Sequence, residues 1–306
     1  MMTITAKRLL HLVTCPYCQA SLQAWTHCDH CGATFEQEDG TPKLLSASAS
    51  RRVEFTFNAQ RSQISPHLLE RCFRYPPRSG TGHRLPYHLD LAHAEVMEQL
   101  PSRSLVLEVG CGGGQMRNWL ADKGHQYVGV DIAKTRVHGW LQEYGGPDVL
   151  CDAHFLPFQA QQFDLVYSVA VAEHLACPYL ATQEILRVLK PGGKFVGTVS
   201  FMEPWHDSSF LHMSPLGVME MLLQAGFTIN YVWPRQGYSG YEAMMIMGSR
   251  FTKPISGVGH LIHGYYQLAN HLRNQTNRLL QRQNRPSIID AAKVAGAIAW
   301  IATRPH

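Results

Sequence analysis

The segment that most constrains this chain is an apolar strand that runs straight into a glycine-rich turn, Leu105-Val-Leu-Glu-Val-Gly-Cys-Gly-Gly-Gly114. Apart from Glu108 its first five residues are Leu and Val, the composition of a strand covered on both faces. Glycines placed directly after such a strand let the backbone come close to a ligand and present free amides where a helix begins. A cofactor site is therefore expected at this turn. Its spacing is Gly110-x-Gly112-x-Gly114; a dinucleotide fingerprint needs glycine at position 115, which is Gln115, and no Gly-Lys-Thr/Ser follows to make a phosphate loop.

Strand-like segments recur at 104–109, 126–132, 148–153, 163–169, 193–200, 227–234 and 241–249. Helix-length segments, among them Gln115 to Lys123, Pro178 to Leu189 and Pro215 to Ala225, fill most of the gaps. This alternation predicts an α/β fold, a doubly wound seven-stranded sheet that is mostly parallel. The last two segments leave no room for a helix between them, so 241–249 is expected as one antiparallel edge strand. Ligands of such sheets bind beyond the C-terminal strand ends, where Gly110 to Gly114, Asp131, Asp152 and the segment after Ser168 converge.

Before this domain, Cys15-Pro-Tyr-Cys18 and Cys28-Asp-His-Cys31 stand nine residues apart. Two such pairs on adjacent turns can converge on one tetrahedral zinc, with Cys15, Cys18, Cys28 and Cys31 as ligands and no position left open for chemistry. Redox pairs are the competing reading, but a redox CxxC opens a helix after a strand in a larger domain, and neither pair here does. The chain thus divides into a zinc ribbon at 1–45, a linker and helical lid at 46–103, a catalytic domain at 104–250 and a basic helical extension at 251–306. The lid is read as a short helix at Pro66 to Phe73 and a longer one at Tyr87 to Leu100, and the extension as helices over 258–285 and Ser287 to Thr303.

Taken in order, the motifs of the central domain resemble those of the class I S-adenosylmethionine-dependent methyltransferases, particularly the group related to the ubiquinone and menaquinone methyltransferases. The likeness covers about residues 84–249 and rests on Glu108-Val-Gly110-Cys-Gly112-Gly-Gly114, Val128-Gly-Val-Asp131, Cys151-Asp-Ala153, Val171-Ala-Glu-His-Leu175 and Leu186-Arg-Val-Leu-Lys-Pro-Gly-Gly193. The resemblance implies S-adenosylmethionine as cofactor, with Glu108, Gly110, Cys111, Gly112 and Gly114 forming the loop around it. It also implies that Asp131 and Ile132 lie at the ribose, that Asp152, Ala153 and His154 lie at the adenine, and that Ser168 leads to the reacting end. Tyr87 and His88 precede the domain and are expected to close over the cofactor.

Methyl transfer from a sulfonium needs chiefly an aligned nucleophile, and a histidine can take the acceptor's proton where one must leave. His174, beside the cofactor-facing segment, is the first candidate, followed by His206 and His212 after the fifth strand. The acceptor read from this pattern is a small molecule, aromatic or lipid-like, methylated on O, N or C. Two alternatives stand beside it: an rRNA or tRNA base methyltransferase that recognises RNA through its ribbon, and a non-catalytic interaction protein on the same fold.

Charge bears on the RNA alternative. Charged residues make up only 16% of the chain, and residues 251–306 hold seven Lys or Arg against one acid, Asp290, so the net +4 leaves the preceding residues slightly acidic. The ribbon carries Lys43 as its one basic residue between positions 10 and 45, a poor surface for phosphates. The cationic extension is assigned to packing or a homodimer, with peripheral membrane contact and RNA left open. No segment reads as a signal peptide or reaches 18 apolar residues, so a cytoplasmic location is expected.

Overall fold

The computed structural model describes residues 4–46, 50, 52–56, 64–77, 85–86, 89–134, 144–248, 251–280 and 287–306. After a short helix α1 (Ala6–Leu10), strands β1 (Glu36–Glu38) and β2 (Thr41–Lys43) form a hairpin, and helices α2 (Pro66–Cys72) and α3 (Leu91–Glu98) lead into the central sheet. Both helices start at side-chain caps: Ser65 accepts from the amide of Leu68, and Asp90 from that of Ala92. The sheet is then laid down as β3 (Leu105–Val109), β4 (Gln126–Asp131), β5 (Val149–Leu150), β6 (Phe163–Val169) and β7 (Leu189–Ser200). Helix α4 (Met116–Asp122) separates β3 from β4, and α5 (Pro178–Val188) separates β6 from β7.

These five strands pair in parallel, and β3 is buried along its whole length, as its apolar run, broken only by Glu108, requires. Helix α6 (Pro215–Ala225) starts at Ser214 and Pro215 and stops at Gly226, whose φ of +97° is the left-handed turn of a helix end. Strand β8 (Thr228–Pro234) follows.

The C-terminal third departs from the sequence reading. Residues expected as an edge strand at 241–249 form helix α7 (Gly240–Met247) instead, started by a reciprocal capping box between Ser239 and Glu242. The chain continues through α8 (Gly257–Leu279) and α9 (Ser287–Ala292), then re-enters the sheet as β9 (Ala297–Thr303), within the segment expected to be a terminal helix. Strand β9 lies between β7 and β8 and is antiparallel to both. Among the described residues the sheet has nine strands, not seven, in the order β1-β2-β5-β4-β3-β6-β7-β9-β8. The antiparallel strand β9 is internal, while β1 is antiparallel at the opposite edge, and the last residues of the extension belong to the core: Ile298, Ala299, Trp300 and Ala302 have no exposed surface.

The far edge was also unforeseen. The β1–β2 hairpin adds to the sheet at β5, where Lys43 faces Leu150 and the Leu44 amide donates to the Leu150 carbonyl at 2.8 Å. The Thr14 amide donates to Pro157 O, and the Gln159 amide to Leu12 O, both at 2.9 Å. The cysteine-bearing segment is thus stitched to the β5–β6 connection by backbone bonds. Helix α8 is largely exposed, with only Gly259 buried; Asp290 of α9 anchors it by pairing with Arg273 at 2.5 Å, and itself pairs with Lys293 just beyond α9 at 2.9 Å. No described helix is long and apolar enough to cross a membrane.

Candidate active site

At the end of β3 the backbone turns at Gly110 with φ of +73°. A side chain there would meet Val171 Cγ2 at 2.2 Å, so glycine is required by conformation and by space. The amides of Gly110 and Cys111 both donate to Val130 O, at 2.9 and 3.0 Å, which clamps the turn to the end of β4. Asp131 completes the clamp: Oδ2 accepts from the Gly112 amide at 2.8 Å and Oδ1 from the Ile132 amide at 2.7 Å. The loop and the strand-end carboxylate predicted to share a ligand therefore hold one another. Ile132 is exposed beside them.

Glu108 points into the protein. Tyr127 Oη donates to its Oε2 at 2.5 Å, and burial pushes its pKa up to about 8, so the group holds a proton near neutrality. The Cys111 thiol is likewise buried and pushed well up. Beneath the loop lies a lock that sequence reasoning missed. Arg117 pairs with Asp148 at 3.0 Å and donates to the carbonyls of Gly146 and Tyr144, while Asp148 accepts from the Gly129 amide at 2.8 Å. The Gly146 amide donates back to Gly113 O at 2.8 Å, joining this connection to the glycine turn.

After β5, Asp152 caps a single helical turn over Ala153–Phe155. Its Oδ1 accepts from the His154 amide at 2.9 Å and from His154 Nδ1 at 2.6 Å, and the Cys177 amide donates to His154 Nε2 at 3.2 Å. With Nε2 accepting, Nδ1 is the ring nitrogen that donates to Asp152. Burial alone would raise the Asp152 pKa, but the His154 hydrogen bonds outweigh it and hold the carboxyl below its usual range. Ser168 is buried near the end of β6, and the following Val171 packs on Gly110. Tyr87 and His88 lie outside the described residues.

The three histidines proposed for the acceptor side come together. The rings of His174 and His206 are 5.4 Å apart and those of His206 and His212 are 5.7 Å apart. His206 Nδ1 lies 2.9 Å from Pro204 O and, facing a carbonyl, must carry hydrogen; His212 Nε2 lies 3.3 Å from Ser209 Oγ. Two acids that sequence reasoning passed over complete the group. Ser200 Oγ stands 2.6 Å from both Glu173 Oε1 and Glu203 Oε2. One hydroxyl hydrogen serves only one of them. Burial pushes the Glu173 pKa up, against the pull of its bond to Ser200. The Phe210 amide donates to Glu173 O at 2.7 Å and brings the 201–213 loop over the cluster, with Trp205 and Phe210 exposed on its rim.

The cysteines form a separate centre. Cys15 Sγ and Cys31 Sγ are 3.7 Å apart, Cys18 Sγ and Cys28 Sγ 3.6 Å, and all four sulfurs lie within 4.8 Å of one another. A tetrahedral ion with Zn–S bonds of ~2.3 Å has sulfur–sulfur edges of about 3.8 Å, so the donor set fits a four-thiolate site. The two knuckles repeat one geometry: the amides of Cys15 and Cys28 donate to Ala20 O and Ala33 O, both at 2.8 Å, and Gln19 and Gly32 turn with φ of +61° and +73°.

Residues 107–197 match a family model described as a methyltransferase domain. This segment is similar to methyltransferase domains. It holds the glycine loop, Asp131, Asp152, Ser168 and His174; Cys15, Cys18, Cys28, Cys31, His206, His212 and residues 251–306 lie outside it. The 2-methyl-6-phytyl-1,4-hydroquinone methyltransferase of Synechocystis sp. is 36% identical over 118 residues, 35% of this chain and 37% of that protein. The sterol 4-C-methyltransferase of Caenorhabditis elegans is 29% identical over 133 residues, 40% of each. The tRNA (carboxymethyluridine(34)-5-O)-methyltransferase of Xenopus tropicalis is 36% identical over 103 residues, 33% of this chain and 16% of that protein. The chain thus spans less than half the length of these curated relatives. Among solved structures, an S-adenosylmethionine dependent methyltransferase from Mesorhizobium loti aligns over 69% of this chain and 97% of that one at 16% identity, with a TM-score of 0.41.

Proposed function

We propose that the chain binds S-adenosylmethionine across the C-terminal ends of β3, β4 and β5 and transfers its methyl group to a nucleophilic atom of a small, apolar-bodied acceptor. The observation that carries this reading is the mutual hold between the glycine loop and Asp131. Each carboxylate oxygen accepts one backbone amide, which fixes the group beside the glycine turn, and a carboxylate has the two oxygens needed to accept from two ribose hydroxyls. Asp152, kept ionised by His154, offers an acceptor for the adenine amino group, and Ala153 and Ile132 give apolar contact on either side. When bound, the sulfonium supplies an already activated methyl group, so the protein's task is to align the acceptor and exclude water. His174, His206 and His212 face that acceptor side, where an imidazole takes the proton of a hydroxyl or ammonium nucleophile.

Relatives named for a hydroquinone and a sterol support an acceptor with a large apolar body, and the exposed Trp205 and Phe210 suit such a molecule. Asp131→Ala should weaken S-adenosylmethionine binding by a hundredfold or more in calorimetry, and retained tight binding would remove the ribose assignment. Labelled methyl transfer into fractionated extract assigns the acceptor: label in the organic-soluble fraction is expected, and label confined to RNA would turn the reading to the base-methylating alternative. We infer that the four-cysteine centre holds structural zinc: atomic absorption should find one zinc per chain, lost in Cys18→Ser, and a metal-free folded chain would exclude it.

A further inference from the structure

We propose that Glu173, His174 and His206 form a binding site for one divalent transition-metal cation on the acceptor side, distinct from the cysteine centre. The three side chains each bring one donor atom, and these atoms lie within 4.8 Å of one another. Bonds of about 2.0–2.2 Å to nitrogen and oxygen put neighbouring donors about 3–3.5 Å apart, a closure within reach of side-chain rotation. One carboxylate with two imidazoles is the donor set that manganese, iron, cobalt and zinc accept, while magnesium and calcium favour oxygen alone.

Two further observations point into the same space. Glu173 has no exposed surface, yet its Oε2 has no hydrogen-bond partner. A buried acceptor left in that condition is rare, because losing its water is uncompensated. The second observation is charge. Ser200 Oγ brings Glu173 and Glu203 together, and among the described residues no lysine or arginine pairs with either; the imidazoles of His174 and His206, the latter with Nε2 3.6 Å from Glu203 Oε2, are the basic groups beside them. A cation held between the two imidazoles and Glu173 answers both. Glu203, joined through Ser200, then acts as a positioning residue that keeps the Glu173 carboxylate turned toward the ion.

The site lies two residues beyond Val171, whose side chain packs on Gly110 of the cofactor turn. Three protein donors leave coordination positions open. We assign these to an oxygen of the acceptor, and this part of the proposal rests on the methyltransferase reading above; the cation site does not. The substrate class is thereby narrowed to acceptors that present an oxygen, a phenol or hydroquinone rather than an unfunctionalised hydrocarbon.

The test uses the full chain with its cysteine centre loaded with zinc and Mn2+ as the probe, since manganese prefers carboxylate and imidazole to thiolate. Electron paramagnetic resonance titration should show one bound Mn2+ per chain. Glu173→Gln, which keeps shape and the bond to Ser200, and His206→Asn should each weaken Mn2+ binding at least tenfold, whereas exposed His271→Ala on α8 should not change it. S-adenosylmethionine affinity, measured on the same variants, should stay within about twofold. No stoichiometric Mn2+ in the zinc-loaded parent, or unchanged binding in both variants with native thermal melts, overturns the cation site. Mn2+ binding without any methyl transfer would retain the site and remove only its assignment to the acceptor.

Discussion

The two sides of the candidate active site stand at the ends of neighbouring strands and are held in opposite ways. On the proposed cofactor side the contacts are made by the backbone: amides of Gly110, Cys111 and Gly112 close on Val130 O and Asp131, and Gly146 bonds back to Gly113. On the acceptor side they are made by side chains from separate loops: Glu173 and His174 after β6, Ser200 at the end of β7, and Glu203, His206 and His212 beyond it. A backbone cradle needs glycine at fixed positions and so leaves a mark in the sequence. A side-chain cluster needs only that loops meet, and it can change its chemistry without moving the fold.

The largest effect should come from breaking the cradle. In Gly110→Ala the new Cβ falls 2.2 Å from Val171 Cγ2, on a stiff branched side chain, at a φ of +73°. Cofactor affinity should fall by a hundredfold or more, about 3 kcal/mol. Adding Val171→Ala should restore part of it, because the clash goes and the backbone strain stays. If Gly110→Ala alone binds normally in calorimetry, the turn is not the rigid cradle described here.

The same kind of change on the other side should divide binding from chemistry. His206→Ala should lower kcat by 10²–10³, within the range for losing a group that loosens the acceptor's proton, with cofactor affinity within about twofold. A matching loss of cofactor affinity would show the two sides to be one network and erase the contrast.

How much was legible follows the same division. The buried strand Leu105–Val109, the glycine spacing, Asp131 and the two cysteine pairs are local patterns, and each stands where its pattern put it. The apolar run Ala243-Met-Met-Ile-Met247 reads equally as a strand, and the helix start at Ser239 and Glu242 is what decides it. Strand β9 was read as helix because a strand buried on both faces has no alternation to display; Gly296, whose Cβ would meet the Tyr238 ring at 2.7 Å, was the one mark of the break before it. Glu173 and Glu203 meet through Ser200, and Arg117 meets Asp148 across 31 residues, and no spacing rule announces contacts of that length.

A smaller effect should separate Glu108 from the exposed acids. Its folded pKa of about 8 lies above its ordinary value of 4.5, so between those limits the folded state holds a proton that the unfolded state has lost. Its stabilising contribution is complete below pH 4.5 and declines as pH rises to about 8, by at most about 1.4 kcal/mol per pH unit. Glu108→Gln keeps an oxygen for Tyr127 and should flatten that slope in urea unfolding at pH 6, 7 and 8. An unchanged slope would place the titrating group elsewhere.

The smallest effect is expected where the cofactor side depends on a side chain. His154 supplies two of the hydrogen bonds on Asp152 Oδ1, and its Nε2 accepts from the Cys177 amide, so His154→Ala removes the ring but leaves the His154 amide bond. The Asp152 side chain is 38% exposed, and solvent screening limits what the ring contributes, so cofactor affinity at pH 7 should drop only three- to tenfold. The pH dependence carries the sharper signature. An acid with a depressed pKa keeps its contribution above its ordinary value, here 3.8, and loses it as pH falls through the folded pKa. Without the ring that loss should begin at higher pH, so the ratio of parent to variant affinity should widen as titrations move from pH 6 toward pH 4. A ratio that stays constant would mean that the ring acts by filling space beside Cys177 and not by holding the Asp152 charge.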